Sequence, residues 1–183
     1  IVGLTTALLT GFIAIAQTDI KKVLAYSTVG QLGFMFVALG TGEPAVGMFH
    51  LATHAFFKAL LFLGSGSVIH ATHHNQEMDK LGGLWKKMPI TGTTFFIGSL
   101  ALAGLPPLAG FWSKDEIIVG AWSSQVHETW GKVIAVVALI AAFMTAFYMF
   151  RLVFLTFFTK ERFDTNEVHP HESKAPMAMP LVV

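Results

Sequence analysis

Cysteine is absent from this 183-residue sequence. That removes disulfides, iron–sulfur clusters and thiolate metal centres from what the chain can carry. Charge is scarce too. Only 13% of the residues are charged, about half the share of a soluble domain. The net charge of +1 offers no polyanion-binding signature, so no nucleic-acid partner is expected. Nothing matches a dinucleotide fingerprint, a P-loop or a nucleophile triad. What is abundant is apolar: 54% of the residues by the same count. Both deviations point to a chain solvated by a lipid bilayer.

Spanning a hydrocarbon core of about 30 Å takes roughly 20 mostly apolar residues. On that measure the sequence predicts an all-α, polytopic transmembrane bundle forming a single membrane domain over residues 1–183. Its spans are 1–16 (partial), 23–41, 45–71, 89–122, 132–158 and 176–183 (partial). Ile1 opens inside an apolar run without an initiator Met and Val183 closes inside another, so an internal piece of a longer protein is expected.

The stretch 89–122 does not fit a plain helix. Straight, it would run to about 50 Å at 1.5 Å per residue, and folded as a hairpin each arm would be too short to cross. Charge decides between the remaining readings. With one crossing, Lys21, Lys22, Lys80, Lys86, Lys87, Lys160, Arg162 and Lys174 share one side and only Lys132 faces the other. A hairpin would spread the basic residues over both sides. The positive-inside rule favours a single, interrupted crossing, with the loops at 17–22, 72–88 and 159–175 on the cytoplasmic or matrix side. Gly104 suits a helix end, and Pro106 and Pro107 cannot continue a helix, so the break is predicted at 105–112. Ser113-Lys-Asp-Glu116 reads as a capping box starting the second half. Non-helical backbone at membrane depth is tolerated where it is buried in protein or lines a wet cavity. The rival reading is a proline kink that only helps packing; three charges beside the break argue for function.

Polar side chains inside the spans are the candidates for chemistry. Lys58 lies at the midpoint of 45–71, too deep to reach either surface, so it must face protein or water. A dry interior sets the charged and neutral forms of an amine in competition, which lets a lysine take up and release protons. The alternative is an ion pair with an acid on another helix. His50, His54 and Lys58 recur every four residues, and each such step climbs about 6 Å. They form one polar stripe, which Ser65 extends. Imidazoles can donate and accept protons together, as a relay needs. Packing histidines remain a rival, and so does a His-x-x-x-His metal pair, although no Glu follows the first His. Lys114 stands at the start of the second half-helix, where a cation opposes the macrodipole while Asp115 and Glu116 favour it. Adjacent helical residues point about 100° apart, so Asp115 is a poor direct partner for Lys114. Tyr26, Ser27, Thr28 and Gln31 are candidates for interhelical hydrogen bonds. Arg151 is expected to be structural, and His70, His73, His74, His169 and His171 to be solvated.

Four segments, "TDIKKVLAYSTVGQLGFMFVALG", "FHLATHAFFKALLFLGSGSVIHA", "LGGLWKKMPITG" and "LAGLPPLAGFWSKDEII", together resemble the largest antiporter-like membrane subunit of respiratory complex I, NADH:quinone oxidoreductase. The resemblance runs over essentially the whole sequence, which would be about a third of such a subunit. It implies a proton-translocating module with half-channels joined at mid-membrane by a lysine-rich polar axis. Lys58 resembles the central lysine of that family, His50 and His54 its connecting histidines, and Lys114 the lysine on its second broken helix. The first broken helix with its own lysine, and the glutamate that partners it, would precede Ile1, and a long amphipathic lateral helix would follow Val183. The resemblance implies no cofactor or metal on this chain. NADH, FMN, iron–sulfur clusters and quinone chemistry would belong to partner membrane and peripheral subunits, most simply in a bacterial cytoplasmic membrane. Large subunits of Mrp-type cation/proton antiporters and of membrane-bound hydrogenases are the neighbouring possibilities.

Overall fold

The computed structural model describes residues 1–124, 128–163, 168–173 and 175–182. These build seven helices: α1 (Val2–Ala16), α2 (Ile20–Gly40), α3 (Pro44–Ala71), α4 (Pro89–Ala103), α5 (Ala109–Trp122), α6 (Glu128–Val153) and α7 (Ala175–Val182). Among the described residues the sole extended pairing is one isolated bridge between Asp19 and Glu77. Lys174 and His127 lie outside the described residues, as does Val183.

Helix starts follow local chemistry. Asp19 caps α2 by accepting from the backbone amides of Lys21 (2.8 Å) and Lys22 (3.0 Å). Pro44 and Pro89 open α3 and α4, at positions whose missing N–H would have no helical partner. The end of α6 widens into one π-helical turn, Phe154–Phe158, closed by the Thr159 amide on the Phe154 carbonyl at 3.0 Å.

α2, α3 and the run Trp130–Phe158 are each long and apolar enough to cross a membrane; α1 and α4 are shorter apolar helices. Large apolar side chains cover the outside, with Phe56 81% and Phe143 72% exposed. A water-soluble surface would not carry such a load, whereas a lipid-facing one does. Small residues allow α1 and α2 to touch, the backbones of Gly3 and Gly33 leaving no room for a Cβ on either.

The bundle has two distinct ends. At the basic end, the Ile20 amide donates to Gln76 O (3.0 Å) and the Met78 amide to Thr18 O (2.8 Å). Arg162 donates there to Leu81 O (2.8 Å) and Met78 O (3.0 Å), and Lys87 pairs with Glu161 at 3.0 Å. At the opposite end, Ser124 Oγ donates to Thr41 O at 3.0 Å and Lys132 Nζ lies 5.8 Å from the Trp122 ring centroid. α4 starts at the basic end, where Glu172 accepts from the Ile90 amide at 2.9 Å, and α5 finishes at the other. The two half-helices therefore make a single crossing.

The break is shorter than 105–112 and sits slightly earlier, at 104–108. Gly104, at φ +83°, takes the left-handed position that ends α4. Its amide bonds to Ala101 O (3.2 Å) while that of Leu105 bonds to Leu100 O (3.1 Å), the paired closure of a Schellman end. After the prolines, the Phe111 amide donates to Leu108 O at 3.0 Å and the helix resumes at once. Ser113 is thus not an N-cap; it lies in the second turn of α5, as do Lys114, Asp115 and Glu116. The dipole argument weakens accordingly, because that field fades beyond the first turn.

Candidate functional site: a buried lysine–histidine axis

α3 brings His50, His54 and Lys58 onto its inward face, all three buried at 6% exposure or less. α5 adds Lys114, 3% exposed, and Ser113, fully buried. Asp115 and Glu116, one and two residues on, point outward and are exposed. Pro106 and Pro107 are exposed too, so their contribution is to the backbone path.

His50 is the crossing point between helices. Its Nε2 lies 3.1 Å from Gln31 Oε1 on α2, and its Nδ1 lies 2.8 Å from Ser113 Oγ on α5. An amide oxygen only accepts, so a neutral His50 carries its proton on Nε2 and takes a hydrogen bond from Ser113 on Nδ1. Thr53 Oγ1 supports that serine at 3.1 Å. His54 stacks on His50 with centroids 6.3 Å apart and meets Phe57 edge-on. Its buried Nε2 has no hydrogen-bond partner among the described residues.

Lys58 occupies a second polar pocket. Its Nζ donates to Ser27 Oγ at 2.7 Å and to Leu24 O at 3.1 Å. The same Ser27 oxygen accepts from Tyr148 Oη at 2.8 Å, so α2, α3 and α6 meet at one hydroxyl. Among the described residues no acid pairs with Lys58 or Lys114. Ser65 is buried, but its hydroxyl is spent on Phe62 O at 2.8 Å in its own helix and does not reach the lysine.

Lys114 folds back over the break. Its amine donates to Leu102 O, and the Phe34 ring centroid lies 5.7 Å away. Gly104, Phe111 and Asp115 line an open cleft of about 360 Å³ beside it, with Leu139, Ala142 and Phe143 of α6 forming the facing wall. Gly110 makes the compact break possible, since a Cβ there would fall 1.8 Å from Ala101 O.

Arg151 donates to Gln17 O at 2.7 Å, closing the end of α1. His70, His73, His74, His169 and His171 are exposed. The sequence singled out Ser27 and Gln31 as interhelical donors and acceptors, and both serve here; Thr28 instead bonds to Leu24 O in its own helix. Tyr148 carries no local sequence signal, because one tyrosine in an apolar run acquires a role only when α6 is placed beside α2.

Fold and axis together define a class: a multi-pass helical membrane protein with one discontinuous crossing and two amines sealed in its interior. The chain belongs to the family described as NADH:quinone oxidoreductase/Mrp antiporter, TM, matched over residues 1–145. Over its whole length it is 50% identical to NADH-quinone oxidoreductase subunit L of Escherichia coli, covering 28% of that protein. It is 48% identical to subunit L of Pseudomonas aeruginosa, again over its whole length and 29% of the relative. Among solved structures, a chain of the membrane-bound sulfane sulfur reductase, an archaeal respiratory membrane complex, superposes with TM-score 0.87 and 31% identity, over 98% of this chain and 29% of that one. A chain of the Mrp complex from Dietzia sp. DQ12-45-1b gives TM-score 0.77 and 26% identity, over 87% and 29%. The sequence thus spans less than a third of the relatives it matches.

Proposed function

We propose that this chain is the central part of the proton-translocating membrane subunit of an NADH:quinone oxidoreductase. The observation that carries the reading is a pair of interior amines, Lys58 and Lys114, with no acid partner among the described residues and with His50 bridging the helices that hold them. A neutral amine can accept a proton and the ammonium can release it. An imidazole can hold a proton on either ring nitrogen, and His50 faces Ser113, next to Lys114, through Nδ1 and Gln31 of α2 through Nε2. Protons then move between Lys58 and Lys114 through His50, His54 and water, and the cleft beside Lys114 supplies the way out.

No electron-transfer chemistry is assigned to this chain. NADH, FMN, iron–sulfur clusters and quinone belong in this reading to partner membrane and peripheral subunits, and quinone reduction there drives the protons here. The basic loops face the cytoplasm of a bacterium, or the equivalent compartment of an organelle. In membrane vesicles holding the assembled complex with its full-length subunit, Lys58→Ala and Lys114→Ala should each abolish most proton pumping linked to quinone reduction. Unchanged pumping in both variants would refute the reading.

The superposition on the Mrp complex favours a second reading, a cation/proton antiporter subunit. Purification separates the two: co-isolation of cluster-bearing subunits supports the first, and their absence the second.

A further inference from the structure

Tyr148 is the residue of α6 that enters the Lys58 pocket, and the transfer path described above leaves it unused. It is 2% exposed, Ser27 1% and Lys58 5%. Its hydroxyl donates to Ser27 Oγ at 2.8 Å, and Lys58 Nζ donates to the same oxygen at 2.7 Å. Thr145 Oγ1 donates to Ala141 O at 3.0 Å in its own helix, and its oxygen and the Gln31 side chain are further polar neighbours of the tyrosine hydroxyl.

A serine hydroxyl has one proton and two lone pairs. An ammonium only donates, so while Lys58 is charged the Ser27 oxygen accepts from both Lys58 and Tyr148, and both lone pairs are filled. A neutral amine has a lone pair of its own, and the Ser27 proton can then swing round to donate into Nζ. Leu24 O accepts from Nζ in either state, 3.1 Å away. Through both states Tyr148 keeps its bond to the serine oxygen. The proton itself passes to or from the water and histidines of the relay, and the pocket accommodates either state by rotation of the serine hydroxyl and of the amine, with no heavy atom moving.

We propose that Tyr148 is a positioning residue for proton transfer at Lys58, acting through Ser27. It anchors the serine oxygen so that one pocket fits the charged and the neutral amine alike. The inference rests on the proton-translocating reading, and the experiment keeps the two separable.

The test uses the assembled complex with its full-length subunit in proteoliposomes, reading protons moved per NADH oxidised. Tyr148→Phe removes only the hydroxyl and should lower that ratio about tenfold, the scale of one lost hydrogen bond to a charged-group pocket. Ser27→Ala should do the same, Ser27→Thr should keep most of the flux, and Tyr148→Phe combined with Ser27→Ala should be no worse than Ser27→Ala alone. A tyrosine that merely filled the core would instead add its own loss to that of the serine. A normal ratio in Tyr148→Phe while Lys58→Ala abolishes pumping overturns the inference and leaves the broader reading intact. A normal ratio in Lys58→Ala overturns the broader reading itself. Should Tyr148→Phe fail to assemble, equal ratios in Ser27→Ala and Ser27→Thr overturn the inference.

Discussion

The amine of Lys114 bonds to the carbonyl oxygen of Leu102, an acceptor left without a helical partner because α4 ends in the left-handed turn at Gly104, with Pro106 beyond it. In an unbroken helix that oxygen would accept from an amide at position 106, and proline has none. The break therefore does more than interrupt α4: it manufactures a ligand for the lysine on the far side of the gap. Gly104→Ala combined with Pro106→Ala removes both the left-handed stop and the missing N–H, so that α4 can run on and an amide competes for this oxygen. Proton flux per NADH in the assembled complex should fall, by less than in Lys114→Ala. Wild-type flux would show that this carbonyl does not hold the amine.

Gly110 is where the two half-helices touch. A Cβ 1.8 Å from Ala101 O forces the first turn of α5 away from the end of α4. Gly110→Ala should cost about 1–3 kcal/mol as an overpacking change, read as a lower thermal midpoint of the purified complex or a lower yield.

Arg151 separates structure from transport. One turn beyond Tyr148 on α6, its guanidinium bonds to Gln17 O at the end of α1 rather than to a group of the Lys58 pocket. Arg151→Ala should cost about 1.5–3 kcal/mol of stability, the scale of a hydrogen bond to a charged group. Protons moved per NADH by the complex that does assemble should be kept, and a selective fall in that ratio would place Arg151 on the path.

Much of the scaffold was legible in the sequence for plain physical reasons. Apolar run length marks α2, α3 and α6, and Gly104 with Pro106 and Pro107 marks the break, because backbone chemistry there is local. The stripe His50, His54, Lys58 was equally visible, since four-residue spacing keeps side chains on one helical face. What failed was the reading of Ser113. Its neighbours imitate a capping box, but its hydroxyl is taken by His50, 63 residues earlier in the chain. Nothing local announces such a partner. For the same reason Tyr148 and the Leu102 carbonyl escaped notice, as their importance arises only when three helices are placed side by side.

Topology is checkable because the sequence contains no cysteine. Single cysteines introduced at Lys80 and Ser123 stand at opposite ends of the bundle and should react with an impermeant thiol reagent from opposite sides of the membrane. Labelling of both from one side would contradict the single interrupted crossing.

The central claim is that Lys58 exchanges a proton rather than supplying a fixed charge, and Lys58→Arg tests it most directly. Arginine keeps the positive charge but stays protonated in proteins. In proteoliposomes of the assembled complex, protons moved per NADH should be lost in Lys58→Arg as thoroughly as in Lys58→Ala. Full pumping with arginine in place would contradict the account.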